Sequence, residues 1–406
     1  MSEQKGARGK DIIKWFSEIG RKDIAIAGGK GANLGEMYQN KFPVPPGFVI
    51  TADAYGLFIE RSGIKEKIKG ILENLDIQDT EKLQKASKEI RKIVEEASMP
   101  GEIENAILDA YEILDVDKQE MAKAKGSALE ILKTGHEPQF VAVRSSATAE
   151  DLADASFAGQ QESFLNVKGK RDLLLKIKKC MSSLFTARAI YYRQKKGFNH
   201  LKSKLAVVIQ RMVDSDKSGV IFSRNPTKMS DDNVIIEAVW GLGEGIVSGK
   251  INPDHYVIKR SVEKLEIIEE KIADKKIAII RTSGGKNEVA KLTEERSTQK
   301  VLTNYELRRL SQYAVQLEEH YGKPQDIEFE IEGKEIYIVQ SRPVTTYNKE
   351  EKIHEDIKGN AILSGLGASP GISSGIVKII HSEDELSKIK KGDVLVTEMT
   401  DRKSVV

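Results

Sequence analysis

The sequence predicts a chain of mixed helix and strand, with helical and strand stretches in separate parts of it. Three observations carry this. From Ala52 to about Leu132, apolar and charged residues alternate at helical spacing, as in several amphipathic helices. From residue 205 the period changes to that of strands, beginning with LAVVIQRMV (205–213) and SGVIFS. Near the end, DIEFEIEGKEIYIVQSRPV (326–344) alternates on both sides of Gly333, the pattern of a β-hairpin.

Taken in order, residues 11–20 read as a short helix. AIAGGKGANLGEMYQN follows, where Gly28, Gly29 and Gly31 surround Lys30 and the spacing of Leu34 and Met37 predicts a helix from about Gly31. A lysine at a glycine-rich helix start can meet a phosphate beside free N–H groups. A solvated lysine at a turn has the same signature, and the GxxxxGK[ST] spacing of a Walker A loop is absent. VPPGFVIT (44–51) is a proline-defined turn into a strand, and the helical stretch after it reads as scaffold.

The densest polar motif is FVAVRSSATAEDLADASFAGQQESFLNV (140–167). Phe140 to Val143 read as a short buried strand that delivers Arg144 at its end, with Ser145, Ser146 and Thr148 behind it. A guanidinium forks onto phosphate oxygens, and hydroxyls and turn N–H groups add donors. The motif therefore reads either as an anion site or as an arginine tied to Glu150 or Asp151. Asp172 to Lys196 reads as one long helix, with the single cysteine, Cys180, in its core rather than a nucleophile.

In the strand region, Gln210 is a polar residue closing an apolar run. A buried amide needs a partner, either a ligand edge or a backbone group. Glu237 and the Gly241–Gly245 loop form a second polar cluster, whose glycines allow close backbone approach or simply make a turn. In the hairpin, a three-residue loop, Gly333 to Glu335, puts Glu328 directly opposite Gln340, and a two-residue loop shifts the register and separates them. Paired, a carboxylate and an amide oxygen suit a hard cation such as magnesium. Arg342 follows two positions later.

Composition sets bounds. The 406 residues exceed the usual length of one domain. With 39% apolar and 31% charged residues the chain fits a globular protein with a sizeable core. The net charge of +2 points to neither nucleic acid nor an anionic membrane. No apolar stretch is long enough for a membrane span or signal peptide. One cysteine permits no intrachain disulfide, and a cytoplasmic setting is expected.

The series GGKGANLGEM, VPPGFVITADAY, VRSSATAEDLADASFAGQQESFLNV, VIQRMV, SGVIFS, WGLGEGIVSGKINPDHY and DIEF–IVQSRPVT resembles, in order, the nucleotide-binding part of the phosphoenolpyruvate synthase (pyruvate, water dikinase) family. The resemblance covers about residues 10–400 and implies an ATP-grasp fold of two α+β lobes over residues 1–346. It implies ATP as substrate and Mg2+ as cofactor. Lys30 and Arg144 would meet the ATP phosphates, Gly159 and Ser163 the nucleotide, and Gln210 would lie by the adenine. Glu328 and Gln340 would hold magnesium and the phosphates, and Arg342 would support phosphoryl transfer. The catalytic set implied is thus Lys30, Arg144 and Arg342.

Residues 347–360 read as a linker. Residues 361–406, opening AILSGLGASPGISSG, resemble the start of the family's swivelling phosphohistidine domain. None of the six histidines has the surroundings of the family's carrier histidine, and the pyruvate-binding barrel has no counterpart. The ending DRKSVV departs from the family pattern, so an incomplete gene product without turnover of its own is expected. In the complete enzyme pyruvate is the second substrate, and a homodimer through the C-terminal domain is possible. Pyruvate, phosphate dikinase and rifampicin phosphotransferase are alternative readings, the latter disfavoured by the short linker. A stand-alone ATP-binding module is another.

Overall fold

The structure is a computed structural model that describes residues 12–73, 75–114, 138–148, 151–152, 155–156, 162–226, 232–260, 264–344, 374–380, 388–390 and 392–396. Its elements mix helix and sheet, as expected of an α+β chain, and its contacts divide it into two compact units. The first comprises residues 1–213 with 281–286, the second 214–280 with 287–406.

The first unit opens with β1 (Ile13–Trp15) and a turn of 3₁₀ helix, Phe16–Glu18, where a short helix is predicted. Tertiary pairing overrides the local pattern, because Ile13, Lys14 and Trp15 pair with Ile50, Val49 and Phe48 of β2 (Gly47–Ile50). Between them lies α1 (Ile24–Gln39), interrupted at Gly28, with Leu34 and Met37 buried as their spacing predicts. The predicted amphipathic stretch resolves into α2 (Ala52–Arg61), α3 (Lys65–Glu73), α4 (Thr80–Glu96) and α5 (Gly101–Glu112). Its remainder, residues 115–137, lies outside the described residues.

The central motif forms β3 (Val141–Ala147), the short pair β4 (Asp151–Leu152) and β5 (Ala155–Ser156), and β6 (Ser163–Val167). β3 runs three residues beyond Arg144, so the arginine stands within the strand and not at its end. Ser145 and Ser146 are buried and pair with Val207 and Ala206 of β7 (Leu205–Arg211). The long helix expected over 172–196 is two, α6 (Lys170–Ser182) and α7 (Ala187–Lys195). Thr186 adopts an extended conformation between them and accepts a hydrogen bond from Ala189 N, capping the second helix.

The strands make one antiparallel sheet in the order β1-β2-β7-β3-β6. Helix α1 lies on the face that carries Val49, Val208, Arg144 and Ser146. The other face packs Phe48, Ile50, Val143, Val207 and Ile209 with α2, α4, α5 and α6 in the main core. Cys180 of α6 is part of that core, as predicted, and burial pushes its thiol well above the ordinary range.

The second unit is built on a six-stranded antiparallel sheet. Its strands are β8 (Lys217–Phe222), β9 (Asn233–Trp240), β10 (Asp254–Lys259), β11 (Ile267–Lys271), and later β14 (Gln325–Glu332) and β15 (Glu335–Pro343), ordered β11-β10-β9-β8-β14-β15. The short α8 (Glu244–Val247) follows β9, and β12 (Ile277–Arg281) pairs with β13 (Asn287–Lys291). Next come α9 (Glu294–Thr298) and α10 (Asn304–Tyr321), the latter closed at its start by a Thr303/Glu306 capping box. A parallel pair, β16 (Val377–Ile379) and β17 (Val394–Val396), completes the described elements. The linker expected at 347–360, and most of 361–406, lie outside the described residues.

Helix α10 is fastened to the sheet by Glu318. Its carboxylate accepts hydrogen bonds from Ser223 Oγ and Arg224 Nε, each 2.6 Å, and pairs with Arg260 Nη1 at 3.0 Å. Burial alone would raise its pKa, but the three donors outweigh burial and hold it below the ordinary 4.5. A lowered carboxyl pKa stabilises the fold above about pH 4.5, and that contribution disappears as pH falls through the lower folded value. Glu318→Gln is therefore expected to cost the second unit about 3 kcal/mol at pH 7. In thermal unfolding the gap to wild type should narrow at pH 3; an equal gap at both pH values would refute this account of Glu318.

Candidate functional site

In the first unit the candidate residues gather on the α1 face of the sheet. The cross-strand row runs Val49, Val208, Arg144, Ser163, so Ser163 on edge strand β6 stands beside Arg144. Gln210 lies two residues along β7 from Val208 and on the same face. It is 2% exposed, and its Oε1 accepts from Arg144 Nη1 at 3.5 Å. Its Nε2 is buried without a hydrogen-bond partner among the described residues. An orphaned amide donor is costly in a finished core. Here it adjoins the Arg144 guanidinium.

Lys30 is brought to the same face by α1. The helix is interrupted at Gly28, whose φ of 67° and ψ of 172° only glycine adopts readily. A Cβ there would stand 2.2 Å from Ser146 O. Ser146 Oγ accepts from Gly31 N at 3.0 Å and donates to Ala27 O at 2.8 Å, so one buried hydroxyl bridges both sides of the interruption. This fixes the turn bearing Lys30 against the strand bearing Arg144. Lys30 also lies near enough to Cys180 to act electrostatically on its thiol. Sequence reasoning treated Ser146 as a further anion donor, whereas its hydroxyl is already committed to α1. Gly159 lies outside the described residues.

In the second unit the hairpin has a two-residue loop, Gly333 and Lys334, and not the three residues predicted, since Glu332 pairs with Glu335. Gly333, with φ of 60°, takes the first loop position, as in a II′ turn. That loop alone would separate Glu328 from Gln340. The two nevertheless face each other, because the register slips by one at Phe329/Ile338 and Val339 is left over as a β-bulge.

The pair belongs to a longer row, Gln340, Glu328, Val220, Glu237, His255, Lys271, one residue from each strand of the sheet. Glu237 Oε1 lies 3.3 Å from His255 Nδ1. In the adjacent row Arg342 pairs directly with Asp326, Nε to Oδ2 at 2.9 Å. Burial raises the pKa of Asp326, and Arg342 pulls it part of the way back. The sequence reading passed over Asp326, although the alternation of DIEFE already put it on the face of Glu328. Among the described residues no three His, Cys, Asp or Glu side chains converge as on a metal. The pair expected from the sequence, Glu328 and Gln340, stands cross-strand in the longer row.

No helix among the described residues is long and apolar enough to cross a membrane. The family model for the pyruvate phosphate dikinase AMP/ATP-binding domain matches residues 24–360. A protein of Methanocaldococcus jannaschii named probable phosphoenolpyruvate synthase is 46% identical over 393 residues, covering 96% of this chain and 32% of that protein. A protein of Archaeoglobus fulgidus with the same name is 49% identical over 393 residues, covering 96% and 49%. The phosphoenolpyruvate synthase of Pyrococcus furiosus is 40% identical over 432 residues, covering 96% and 51%. The chain thus spans about a third to a half of the length of these curated relatives.

The Ser146 clasp makes a direct prediction. Ser146→Ala removes an acceptor from Gly31 N and a donor from Ala27 O inside the fold, and should destabilise the first unit by about 1–3 kcal/mol. Hydrogen exchange should quicken at the start of α1 before it quickens in β7. Unchanged protection at Gly31 would show that the clasp does not hold the helix.

Proposed function

The chain belongs to the pyruvate phosphate dikinase AMP/ATP-binding domain family, and from that premise we propose that it is the ATP-binding, pyrophosphoryl-donating part of a phosphoenolpyruvate synthase. The names of the three relatives support the synthase reading, in which water accepts the terminal phosphoryl group. The two α+β units would be the lobes of an ATP-grasp domain spanning residues 1–346. Residues 347–360 would be a linker and 361–406 the start of the phosphohistidine domain. The setting proposed is the cytoplasm. The overall reaction would convert ATP, pyruvate and water to AMP, phosphoenolpyruvate and phosphate through a phosphohistidine carrier.

The observation that carries this reading is the register of Glu328 against Gln340, which a bulge restores although the turn opposes it. Carboxylate and amide oxygens side by side are the hard donors magnesium takes, together with water and phosphate. Bound there, the ion would neutralise phosphate charge during transfer. Lys30 contributes a point charge and Arg144 a fork toward the phosphates. Gln210 holds that fork through Oε1 and offers its orphaned Nε2 to the nucleotide; this suits an adenine nitrogen close to the guanidinium. Ser163, on the edge strand, and Gly159 would contact the nucleotide. Arg342, held by Asp326, stabilises charge on the transferring group.

Titration calorimetry tests the reading directly. Arg144→Ala should cost about 1.5–3 kcal/mol and weaken Mg-ATP binding by roughly one to two decades. Equal affinity in wild type and variant would remove Arg144 from the phosphates. Glu328→Gln is expected to abolish the magnesium dependence of nucleotide binding and to spare binding of metal-free ATP. Loss of both in equal measure would make the pair structural.

A further inference from the structure

Glu162 immediately precedes Ser163, the first residue of β6, an edge strand paired with β3. Ser163 stands opposite Arg144 and shares its face, so Glu162 points to the other face, where α4 and α6 pack. There Arg91 of α4 meets it, with Nη2 2.7 Å from Oε1 and 2.8 Å from Oε2. The guanidinium is itself held in place. Its Nε donates to Ser182 Oγ of α6 at 3.3 Å and lies 3.8 Å from Glu95 Oε1, one turn further along α4. Ser182 Oγ closes the triangle, 2.7 Å from Glu95 Oε1. The Arg91 and Glu162 side chains are 28% and 34% exposed, and an ion pair so open contributes little to stability.

Its consequence is for register. The pairing of β3 with β6 shifts between Val141 and Val143, so the ladder is already irregular just before Val143 meets Phe164 and Arg144 meets Ser163. A slip of one residue would turn every side chain at the start of β6 to the opposite face. Phe164, which packs against the core, would leave it, and Leu165, now 39% exposed, would enter. One large apolar side chain replaces another, so burial opposes the slip only weakly. The slip would also carry Glu162 to the face of Arg144. In one direction it comes directly opposite the guanidinium, where a carboxylate pairs with it. Arg144 would then be neutralised and Ser163 turned away.

We propose that Arg91 is a positioning residue of the nucleotide site. It holds the Glu162 carboxylate on the helix side of the sheet, which keeps that charge off Arg144 and leaves Ser163 beside the guanidinium. The inference rests on the reading of Arg144 as a phosphate ligand. Arg91 lies across the sheet from the nucleotide face and acts through Glu162.

Mg-ATP is titrated calorimetrically into the full chain, into Arg91→Met and Arg91→Met/Glu162→Gln, and into Arg144→Ala as the reference. Arg91→Met should weaken binding about tenfold, because it releases a carboxylate toward Arg144 and the phosphates. The double variant should return to within about threefold of wild type, since Glu162→Gln removes the charge that competes for Arg144. A residue that merely braces the fold gives no such rescue. Wild-type affinity in Arg91→Met, or equal weakness in the single and double variants, overturns the proposal; a loss in Arg144→Ala leaves the phosphate reading standing in either case. Wild-type affinity in Arg144→Ala overturns both. Should Arg91→Met not fold, Arg91→Gln, which keeps a donor for Ser182 Oγ, enters the same comparison, and the same two results overturn the proposal.

Discussion

The first unit's candidate site depends on one hydroxyl. Ser146 Oγ both accepts and donates, and its two partners, Gly31 N and Ala27 O, flank the only residue of α1 with non-helical angles. Without it, two backbone groups at a helix interruption would be buried and unpaired, a cost comparable to a fair share of a domain's net stability. With it, a segment more than a hundred residues away in sequence is locked to β3. Gly28 is the steric half of the same constraint, because any side chain there would occupy the space of the serine. The result is a lysine whose backbone is held by the strand that carries Arg144.

The second unit solves a different problem, which is how a short turn can coexist with the cross-strand pairing of Glu328 and Gln340. A II′-type loop is favoured because its twist matches that of the strands. It sets one register, and the Glu328–Gln340 pairing needs another. A bulge at Val339 absorbs the difference. Sequence alternation shows which residues share a face but is blind to a bulge, since a bulge changes the count on one strand only. The expected pair was therefore reached through an incorrect loop. The face logic was sound and the residue count was not.

Elsewhere, legibility followed the length of the pattern. The amphipathic helices between residues 52 and 112, the core positions Leu34, Met37 and Cys180, and strands β2, β7, β8 and β9 could all be read from periodicity. Short or mixed signals failed. Three residues of β1 carry too little alternation to outweigh a helical reading, and pairing with β2 decides them. Thr186 is an ordinary helix-tolerated residue in sequence and a cap in space. Ser145 and Ser146 looked like loop because hydroxyls favour turns, yet a buried hydroxyl is acceptable once both its hydrogen-bonding roles are filled. Asp326 was legible and passed over, because its neighbour Glu328 had already been given the metal role.

The charge on each face bears on the proposed chemistry. Lys30 and Arg144 make the first unit's candidate surface cationic, and it suits a polyphosphate without help. The second unit's face presents Asp326, Glu328, Glu330 and Glu237 in neighbouring rows, with Arg342 already bound to Asp326. Such a surface repels phosphate by itself. Gln340 is the member of the central row that adds an oxygen donor without adding charge, and it stands directly opposite Glu328. A hard divalent cation held by that pair reverses the local sign, so phosphate oxygens complete its coordination instead of opposing the carboxylates. Were Val339 drawn into the ladder, it would stand opposite Glu328 and displace the neutral oxygen from beside the carboxylates. A magnesium ion at this pair would thus depend on where the bulge falls, and not on the number of acidic residues nearby.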